Sequence, residues 1–479
     1  MGAVSCIYNK LKLSTIRFTA ISLIALILGG CATYYQQSMS FQQDFAKGDL
    51  DKAQSFLEHH KKAAEKKDRL LYFLDRGVVE QMLGNYIESN NYFEKAYLFS
   101  QDYRKNFSSD LVEYVANPML KPYVGEQFEL ILLHFYKAMN YLQLSQLDEA
   151  LVEVRRVNVK LNMLNDKYEG KRNRYKEDAF AHNLMGIIYE AKGDVNNAFI
   201  AYRNAYNVYE NYYDTLFQTS VPEQLKVDLV RTAALNGFNA EQELYEDKFN
   251  LKYTPEEYLK SELIFFWLNG LGPVKSEFSL NLTAVKGQGG AVTFANDQEG
   301  FTVPYFSSSS NNSSGTELGD LKVVRIAIPK YLKREPLISE AYLNIDGSSY
   351  ALQKAENINA IAISTLQDRM FREISKAIGR LAVKQASELA LREQNDDLGA
   401  LLSAINAATE KADTRNWQTL PHSIYYQRLP LNSDSAGVQL ITNGNQIIED
   451  TLSFNIKSRP GETVFRMYHS LESTAPVEQ

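Results

Sequence analysis

The sequence predicts a multidomain α+β protein, in which an N-terminal α-helical solenoid precedes a C-terminal β-sandwich-like α+β region. Helical periodicity extends from Phe41 to about Tyr213, and within it a turn followed by a helix recurs. After residues 270–273 the pattern changes to the alternation that is typical of half-buried strands. We therefore predict helical repeats at 41–268, an α+β domain at 272–470 and a tail at 471–479.

The N-terminus has the organisation of a bacterial secretion signal. Three cations, Lys10, Lys12 and Arg17, precede an apolar run at 18–28. This run is too short to cross a bilayer as a stable helix, but it has the length of a signal-peptide core. We predict a signal peptide at 1–30.

The apolar run ends in the pattern of a lipobox, with the residues Leu28, Gly29, Gly30 and Cys31. The small residues let the signal peptidase approach the backbone, and the Cys31 thiol accepts the lipid that anchors the chain. The alternative is an ordinary signal peptide with a chance cysteine. We predict lipidation at Cys31 and a lipidated tether at 31–40. Because Ala32 follows the cysteine in place of Asp, analogy with Gram-negative sorting favours the outer membrane, with the protein facing the periplasm.

Composition excludes several classes of function. The formal charge is −7, and near −10 once the signal peptide is removed, which argues against nucleic acid as a partner. The two cysteines are Cys6, within the signal, and the lipidated Cys31, so thiol catalysis and cysteine-ligated zinc are excluded. The six histidines lack metal-ligand spacing, and no nucleophile elbow, phosphate loop or dinucleotide motif occurs. The sequence predicts no cofactor, no metal and no enzyme.

The helical part contains an interrupted repeat. Its turns begin at Gly48, Gly84, Ser145 and Gly193. In the fullest unit, 179–212, Gly186 stands at position 8 and Tyr202 at position 24, so that a small and a large residue let two helices pack closely. This pattern resembles the tetratricopeptide repeat; a generic helical bundle is the alternative. Helices at 222–247 and 254–268 are predicted to cover the end of the array.

The concave positions of two repeats form a candidate protein-binding groove. They are apolar apart from one amide, and comprise Leu132, Phe135, Met139, Phe180, Asn183 and Ile187. Basic residues, which would clamp a terminal carboxylate, are missing from these positions. Either the groove binds an apolar helix or strand of a partner, or another part of the chain, such as the helices at 222–268, fills it. Polar substitutions would weaken the partner complex in the first case and the fold in the second.

The C-terminal half combines strands with helices. Alternating apolar residues predict strands at 276–285, 299–306, 321–328, 341–345, 423–429, 437–443, 451–456 and 462–468. Between them, an apolar stripe predicts a helix at 364–393, capped by Thr365 and Asp368, and a second helix fits 398–411. Asn443 and Gly444 suit a tight turn between two of the later strands.

Residues 412–421 form the densest cluster of polar and aromatic side chains. Asp413, Arg415 and Trp417 are a candidate recognition patch, because a guanidinium can pair in a fork-like geometry and an indole offers a stacking face. The alternative is a corner between helix and strand, in which Asp413 pairs with Arg415 and Trp417 fills the core.

Three strings, at 125–142, 148–158 and 412–421, together with the lipobox and the repeats, resemble a family of tetratricopeptide-type outer-membrane lipoproteins of Gram-negative bacteria. The resemblance covers most of the mature chain and transfers no catalytic residue. It implies a non-enzymatic scaffold or adaptor in cell-envelope assembly, with envelope proteins as partners. An accessory subunit of an export or polysaccharide system is an alternative, and an envelope hydrolase with its site in the C-terminal half is another.

Overall fold

The computed structural model describes residues 38–106, 118–167, 173–255, 261–286, 291–296, 301–306, 323–394, 411–444 and 450–477. The signal peptide, the lipobox with Cys31 and most of the tether therefore lie outside the described residues, as does nearly all of the helix predicted at 398–411. Within these ranges, no helix is long and apolar enough to cross a membrane.

Five helix hairpins form the N-terminal half of the described chain. They pair α1 (Met39–Ala46) with α2 (Leu50–His59), α3 (Arg69–Met82) with α4 (Tyr86–Asn106), α5 (Gln127–Gln143) with α6 (Leu147–Lys167), α7 (Ala179–Ala191) with α8 (Val195–Val208), and α9 (Glu223–Leu235) with α10 (Asn239–Phe249). Helix α8 continues through a π-helical turn, Tyr209–Tyr213, into Asp214–Phe217, and 3₁₀ turns occupy Lys61–Glu65 and Pro118–Leu120. Each hairpin is therefore one supersecondary unit of a repeat array.

The hairpin turns share one backbone conformation. Each turn has a residue with φ between 58° and 80°, namely Gly48, Gly84, Ser145, Gly193 and Gly237. A left-handed residue reverses the chain after the first helix, and glycine adopts it without the steric cost that other residues bear. The turn at Gly237 was missed, because the sequence predicted one helix over 222–247 where the structure has a fifth hairpin.

Close packing within the hairpins depends on glycine facing an aromatic ring. A Cβ added to Gly77 would lie 2.6 Å from the ring of Phe93, and one added to Gly186 would lie closer still to that of Tyr202. These are the small and large positions that the repeat pattern predicted. The helical half therefore has tetratricopeptide-type packing.

The C-terminal half contains twelve strands and one long helix within the described residues. The strands are β1 (Ser261–Asn269), β2 (Val274–Lys286), β3 (Ala291–Asn296), β4 (Phe301–Phe306), β5 (Val323–Leu332), β6 (Ile338–Ile345), β7 (Ser348–Ala351), β8 (Gln353–Asn357), β9 (Ser423–Leu431), β10 (Ser435–Gly444), β11 (Asp450–Lys457) and β12 (Thr463–Ser470). Helix α11 (Ile358–Gln394) lies between β8 and β9 in sequence. The predicted strands coincide with β2, β4, β5, β6 and β9–β12, whereas β1, β3, β7 and β8 were missed.

The strands form three four-stranded sheets. The inner sheet has the order β12-β1-β9-β8, the outer sheet β11-β10-β6-β7 and the flanking sheet β4-β3-β2-β5. All pairs are antiparallel except β1 with β12, which are parallel. The inner and outer sheets share one hydrophobic core, and α11 lies across the flanking sheet. The expected α+β organisation is confirmed.

Strand β1 corrects the helix predicted at 254–268. Residues 261–269 are extended and buried on both faces, and the domain boundary predicted at 268 falls inside this strand. Leu263 and Phe265 enter the core between the inner and outer sheets, whereas Ile264 and Phe266 enter the core of the helical repeats. A strand buried on both faces is a continuous apolar run, so its sequence lacks the alternation that marks a strand.

Helix α11 begins earlier than predicted. It starts at Ile358, and the Asn357 side chain accepts a hydrogen bond from the Ala360 amide at 3.0 Å. The predicted cap at Thr365 and Asp368 is wrong, because both residues lie inside the helix. Asn443 and Gly444 belong to β10, and the chain that would complete a turn after them lies outside the described residues.

The left-handed turn residue Ser145 offers a test of the hairpin geometry. Ser145→Gly should raise the free energy of unfolding by roughly 0.5–1 kcal/mol, since glycine relieves the left-handed strain but loses more conformational entropy on folding. Chemical denaturation of both proteins measures the difference. Ser145→Ala is the control, because alanine retains the strain; an equal gain from alanine would contradict the argument.

Candidate functional site: the filled groove of the repeats

The six predicted groove residues lie in a hydrophobic core. Leu132, Phe135, Met139, Phe180, Asn183 and Ile187 are all at most 6% exposed. The ring of Phe180 lies 6.2 Å from that of Phe266 on β1 and 6.3 Å from that of Tyr426 on β9. The prediction of an open protein-binding groove is therefore wrong for this structure, and the self-filled alternative describes it.

The element that fills the groove differs from the predicted one. Helices at 222–268 were expected to cover the concave side, but α9 and α10 extend the array as a further hairpin instead. The inner sheet takes the place they were expected to occupy, with Ile264, Phe266 and Tyr426 in the same core as the groove residues. The concave surface thus holds a sheet of its own chain.

The N-terminal end of the groove holds residues 411–421, an irregular segment that we name the strap. The Trp417 ring lies 6.0 Å from that of Phe93 and 5.3 Å from that of Tyr136. The backbone amide of Trp417 donates to the Glu129 carboxylate at 2.7 Å, and the Thr419 hydroxyl donates to Asp75 at 3.0 Å. Side chains of α3 and α5 therefore bind the strap through both its backbone and its side chains.

Arg415 fixes the strap to the second hairpin. Its guanidinium pairs with Asp68 at 2.8 Å and with Asp413 at 2.7 Å, and it donates to the backbone carbonyls of Pro118 and Lys121. Arg415 and Trp417 are each 1% exposed. The predicted recognition patch of Asp413, Arg415 and Trp417 is therefore wrong as a surface. The alternative is confirmed: Asp413 pairs with Arg415, and Trp417 fills the core.

A buried ion network joins the other end of the groove to the inner sheet. Arg428 on β9 pairs with Glu190 of α7 at 2.9 Å and with Asp228 of α9 at 3.2 Å. Arg231 forms two further hydrogen bonds to Glu190, at 2.8 and 2.9 Å. Burial opposes ionisation of Glu190, but Arg231 and Arg428 outweigh it and lower its pKa to about 2. Glu190 therefore stays charged between its two arginines, whereas burial raises the pKa of Asp228. The network fixes the register of β9 against two hairpins.

After the strap and the ion network, a third set of polar contacts links α5 to the flanking sheet and α11. Lys275 of β2 and Arg369 of α11 both pair with Glu126, which precedes α5. Burial opposes the charge on Glu126, but the two cations outweigh it and hold its pKa below the usual range. The flanking sheet is thereby attached to the same groove edge as the strap.

Two buried carboxyl groups meet where β8 enters the groove. Glu356 is 1% exposed and Asp178 is 5% exposed. Burial raises the pKa of Glu356 well above its usual range, and the neighbouring Asp178 adds to this; burial also raises the pKa of Asp178. The Tyr213 hydroxyl donates to Glu356 at 3.2 Å, and the Tyr175 hydroxyl to Asp178 at 2.6 Å. Both carboxyl groups line a cavity of about 10 Å³, the size of a single water.

The sequence contains only weak signals for these buried polar contacts between the two halves. Arg428 and Glu356 are charged residues within strands β9 and β8, and charged residues are rarely buried unless they are paired. Their partners lie 238 and about 180 residues away, so local patterns could not identify them. Among the described residues, no three His, Cys, Asp or Glu side chains form a group that could hold a metal ion.

Burial of the groove predicts the effect of a polar substitution there. Met139→Gln should lower the free energy of unfolding by about 2–5 kcal/mol, because it puts an amide into a packed core. A thermal or chemical denaturation curve measures the loss. The matched control is Met163→Gln on the next helix, where the native residue is 66% exposed and the change should be within about 0.5 kcal/mol. Equal stability of the two variants would mean that the groove is open.

The buried carboxyl pair predicts a pH dependence. The pKa of Glu356 is higher in the folded state than in the unfolded state. The protonated group therefore stabilises the fold fully below the unfolded pKa of about 4.3, and this stabilisation is lost as the pH rises through the folded pKa. Glu356→Gln mimics the protonated acid and removes this loss. The free energy of unfolding of Glu356→Gln should therefore rise relative to that of wild type between pH 5 and pH 8. The rise is about 1.4 kcal/mol for each pH unit between the unfolded and the folded pKa of Glu356. Urea denaturation at both pH values measures it. The exposed Glu149→Gln should follow wild type, and parallel behaviour of Glu356→Gln would refute a raised pKa.

No protein-family model and no curated protein matches the chain. Among solved structures, MamA is 13% identical, with 44% of this chain and 92% of MamA covered at a TM-score of 0.29. BtubC from P. vanneervenii is 15% identical, with 45% and 77% covered and a TM-score of 0.32. A kinesin light chain from Podosopora anserina with TPR-like repeats is 14% identical, with 45% and 92% covered and a TM-score of 0.31. These low scores indicate that only part of the chain is similar to the three structures. The repeats are therefore described from the geometry of their own hairpins.

Proposed function

We propose that the protein is a non-enzymatic scaffold lipoprotein of the cell envelope, anchored at Cys31 to the outer membrane and facing the periplasm. Its repeats hold the C-terminal half in a fixed orientation, and its inner and outer sheets form a β-sandwich-like body for display. The observation that carries this proposal is the groove filled by the strap and the inner sheet. Partner proteins then bind surfaces that remain exposed.

The length of the tether supports a position near the membrane. Six residues lie between Cys31 and Ser38, where the described chain begins, so the chain takes seven residue-to-residue steps from one to the other. A fully extended residue spans at most about 3.6 Å, so lipid at Cys31 would hold the folded body within about 25 Å of the bilayer surface. Such a scaffold would bind partners close to the membrane rather than partners on the far side of the periplasm.

An apolar line on the outside of the array is a candidate partner surface. Val152, Val159 and Met163 of α6 are 46%, 58% and 66% exposed. Their spacings of seven and four residues align them along one side of the helix. Burying one such side chain in a partner contributes about 1.5–3 kcal/mol. This line offers the apolar contact that the filled groove does not.

The first arm of the test concerns the anchor. In cells fed a fatty-acid analogue, the wild-type chain should incorporate the label and sediment with outer membranes, whereas Cys31→Ser should remain an unlabelled precursor. The thiol is the acceptor of the lipid, so its loss blocks the modification. Label on the Cys31→Ser protein would contradict the anchor.

The second arm concerns partners of the anchored chain. A photo-crosslinking residue at Val159 should give discrete adducts with envelope proteins, and the same residue at Val157, which is 2% exposed, should give none. Adducts that need both the exposed position and the anchor support a membrane scaffold. Absence of adducts at Val159 in intact cells would count against this surface and the scaffold proposal that uses it.

A further inference from the structure

The outer sheet has one face towards the inner sheet and one face towards solvent. Its solvent face contains an open hollow of about 440 Å³, lined by residues of all four of its strands and of the turn at Asp346 and Gly347. A cavity of this size is in the range of small-ligand sites. It lies outside the groove and includes none of the buried polar contacts described above.

A row of uncharged polar side chains crosses the hollow. Strand register places four residues side by side, in the order Ser453, Gln439, Asn344 and Ser349. Neighbouring strands are about 4.8 Å apart, so the row extends roughly 14 Å. It presents two amides and two hydroxyls, each able to donate and to accept hydrogen bonds.

The next row along the strands is mostly apolar and has the order Thr451, Ile441, Tyr342 and Ala351. Ile441 and Tyr342 lie opposite each other on β10 and β6, two residues from Gln439 and Asn344 on the same face. Beyond the polar row on the other side, Gly437 stands opposite Asn455 and contributes no side chain, which deepens the hollow. The face thus combines amides, an aromatic ring and a recess.

One polar atom in this row lacks a partner. The Oδ1 of Asn344 is buried and accepts no hydrogen bond from the described residues. Because this atom is closed to solvent, a ligand in the hollow would meet the exposed side chains of Ser349, Gln439 and Ser453 instead.

We infer that this face binds a neutral oligosaccharide laid across the four strands. Sugar hydroxyls donate and accept hydrogen bonds as amides do, and the apolar face of a pyranose matches the ring of Tyr342. The strand spacing is close to the length of one pyranose unit, so successive sugars can meet successive strands. The polar row carries no charge, and the charged residue in the lining, Asp346, accepts a hydrogen bond from Asn432 at 3.2 Å, so a neutral ligand fits better than an anion.

The test uses the full lipidated chain, in a detergent without a sugar head group. The probes are the tetramers of N-acetylglucosamine and of β-linked glucose, titrated by calorimetry. At least one should bind with a Kd of about 1 mM or tighter, and Gln439→Ala and Ser453→Ala should each weaken that binding at least tenfold.

Ser435→Ala is the matched control, because Ser435 lies on the same strand face but outside the hollow. It should leave the affinity unchanged, and a melting curve shows that each variant is folded. Binding that survives Gln439→Ala and Ser453→Ala in folded protein overturns the site. Absence of binding by either tetramer up to about 10 mM, ten times the weakest expected Kd, overturns it as well. Neither result bears on the anchor or on the adducts at Val159.

Discussion

The structure depends on burial of a single strand, β1, on both of its faces. Alternate residues of Ser261–Asn269 enter two different hydrophobic cores, one shared with the outer sheet and one shared with the helical repeats. Since the two cores have this strand in common, the helical and β halves cannot separate without exposing a run of large apolar side chains. Each of these contributes about 1.5–3 kcal/mol of burial, so the interface resembles the interior of a domain rather than a contact between domains.

Buried charges then select one arrangement of the two halves. Arg415, Arg428 and Arg369 each come from the C-terminal half and each pairs with a carboxylate of the repeats. A buried ion pair contributes little net stability, because desolvation offsets much of the attraction, but removal of one partner leaves a buried charge uncompensated. Three such pairs at separate points of the groove therefore disfavour a shifted or rotated docking far more than apolar contact alone would.

Local patterns predicted much of the fold, and contacts between distant residues account for the failures. Glycine turns and the small-to-large pairs are set within one hairpin, so Gly186 and Tyr202 could be assigned from the sequence. Strands with one face in solvent, such as β2 and β10, alternate and were predicted as well. For strand β1 the sequence predicts a helix instead, because burial on both faces removes the alternation.

The prediction of an open groove and of a recognition patch was wrong for a related reason. The concave residues were recognised as apolar, but a sequence pattern cannot tell an open apolar surface from one that is covered by the same chain. Trp417 and Arg415 were singled out for their chemistry, and their partners, Glu129 and Asp68, lie 288 and 347 residues away. Prediction of that pairing requires the tertiary structure. The repeats and their groove were therefore predictable, whereas the occupant of the groove was not.

The separation of 347 residues between Asp68 and Arg415 also bears on how the chain folds. Hairpins close over short stretches and form quickly, whereas contacts of high sequence separation form slowly, because the loop must be closed before it is stabilised. The strap and β9 are synthesised after all five hairpins, so the repeats complete their helices while Phe135, Met139 and Phe180 still face water. During that interval the nascent protein exposes an apolar channel that the finished protein conceals, and chaperones would have to shield this channel until the strap and β9 arrive.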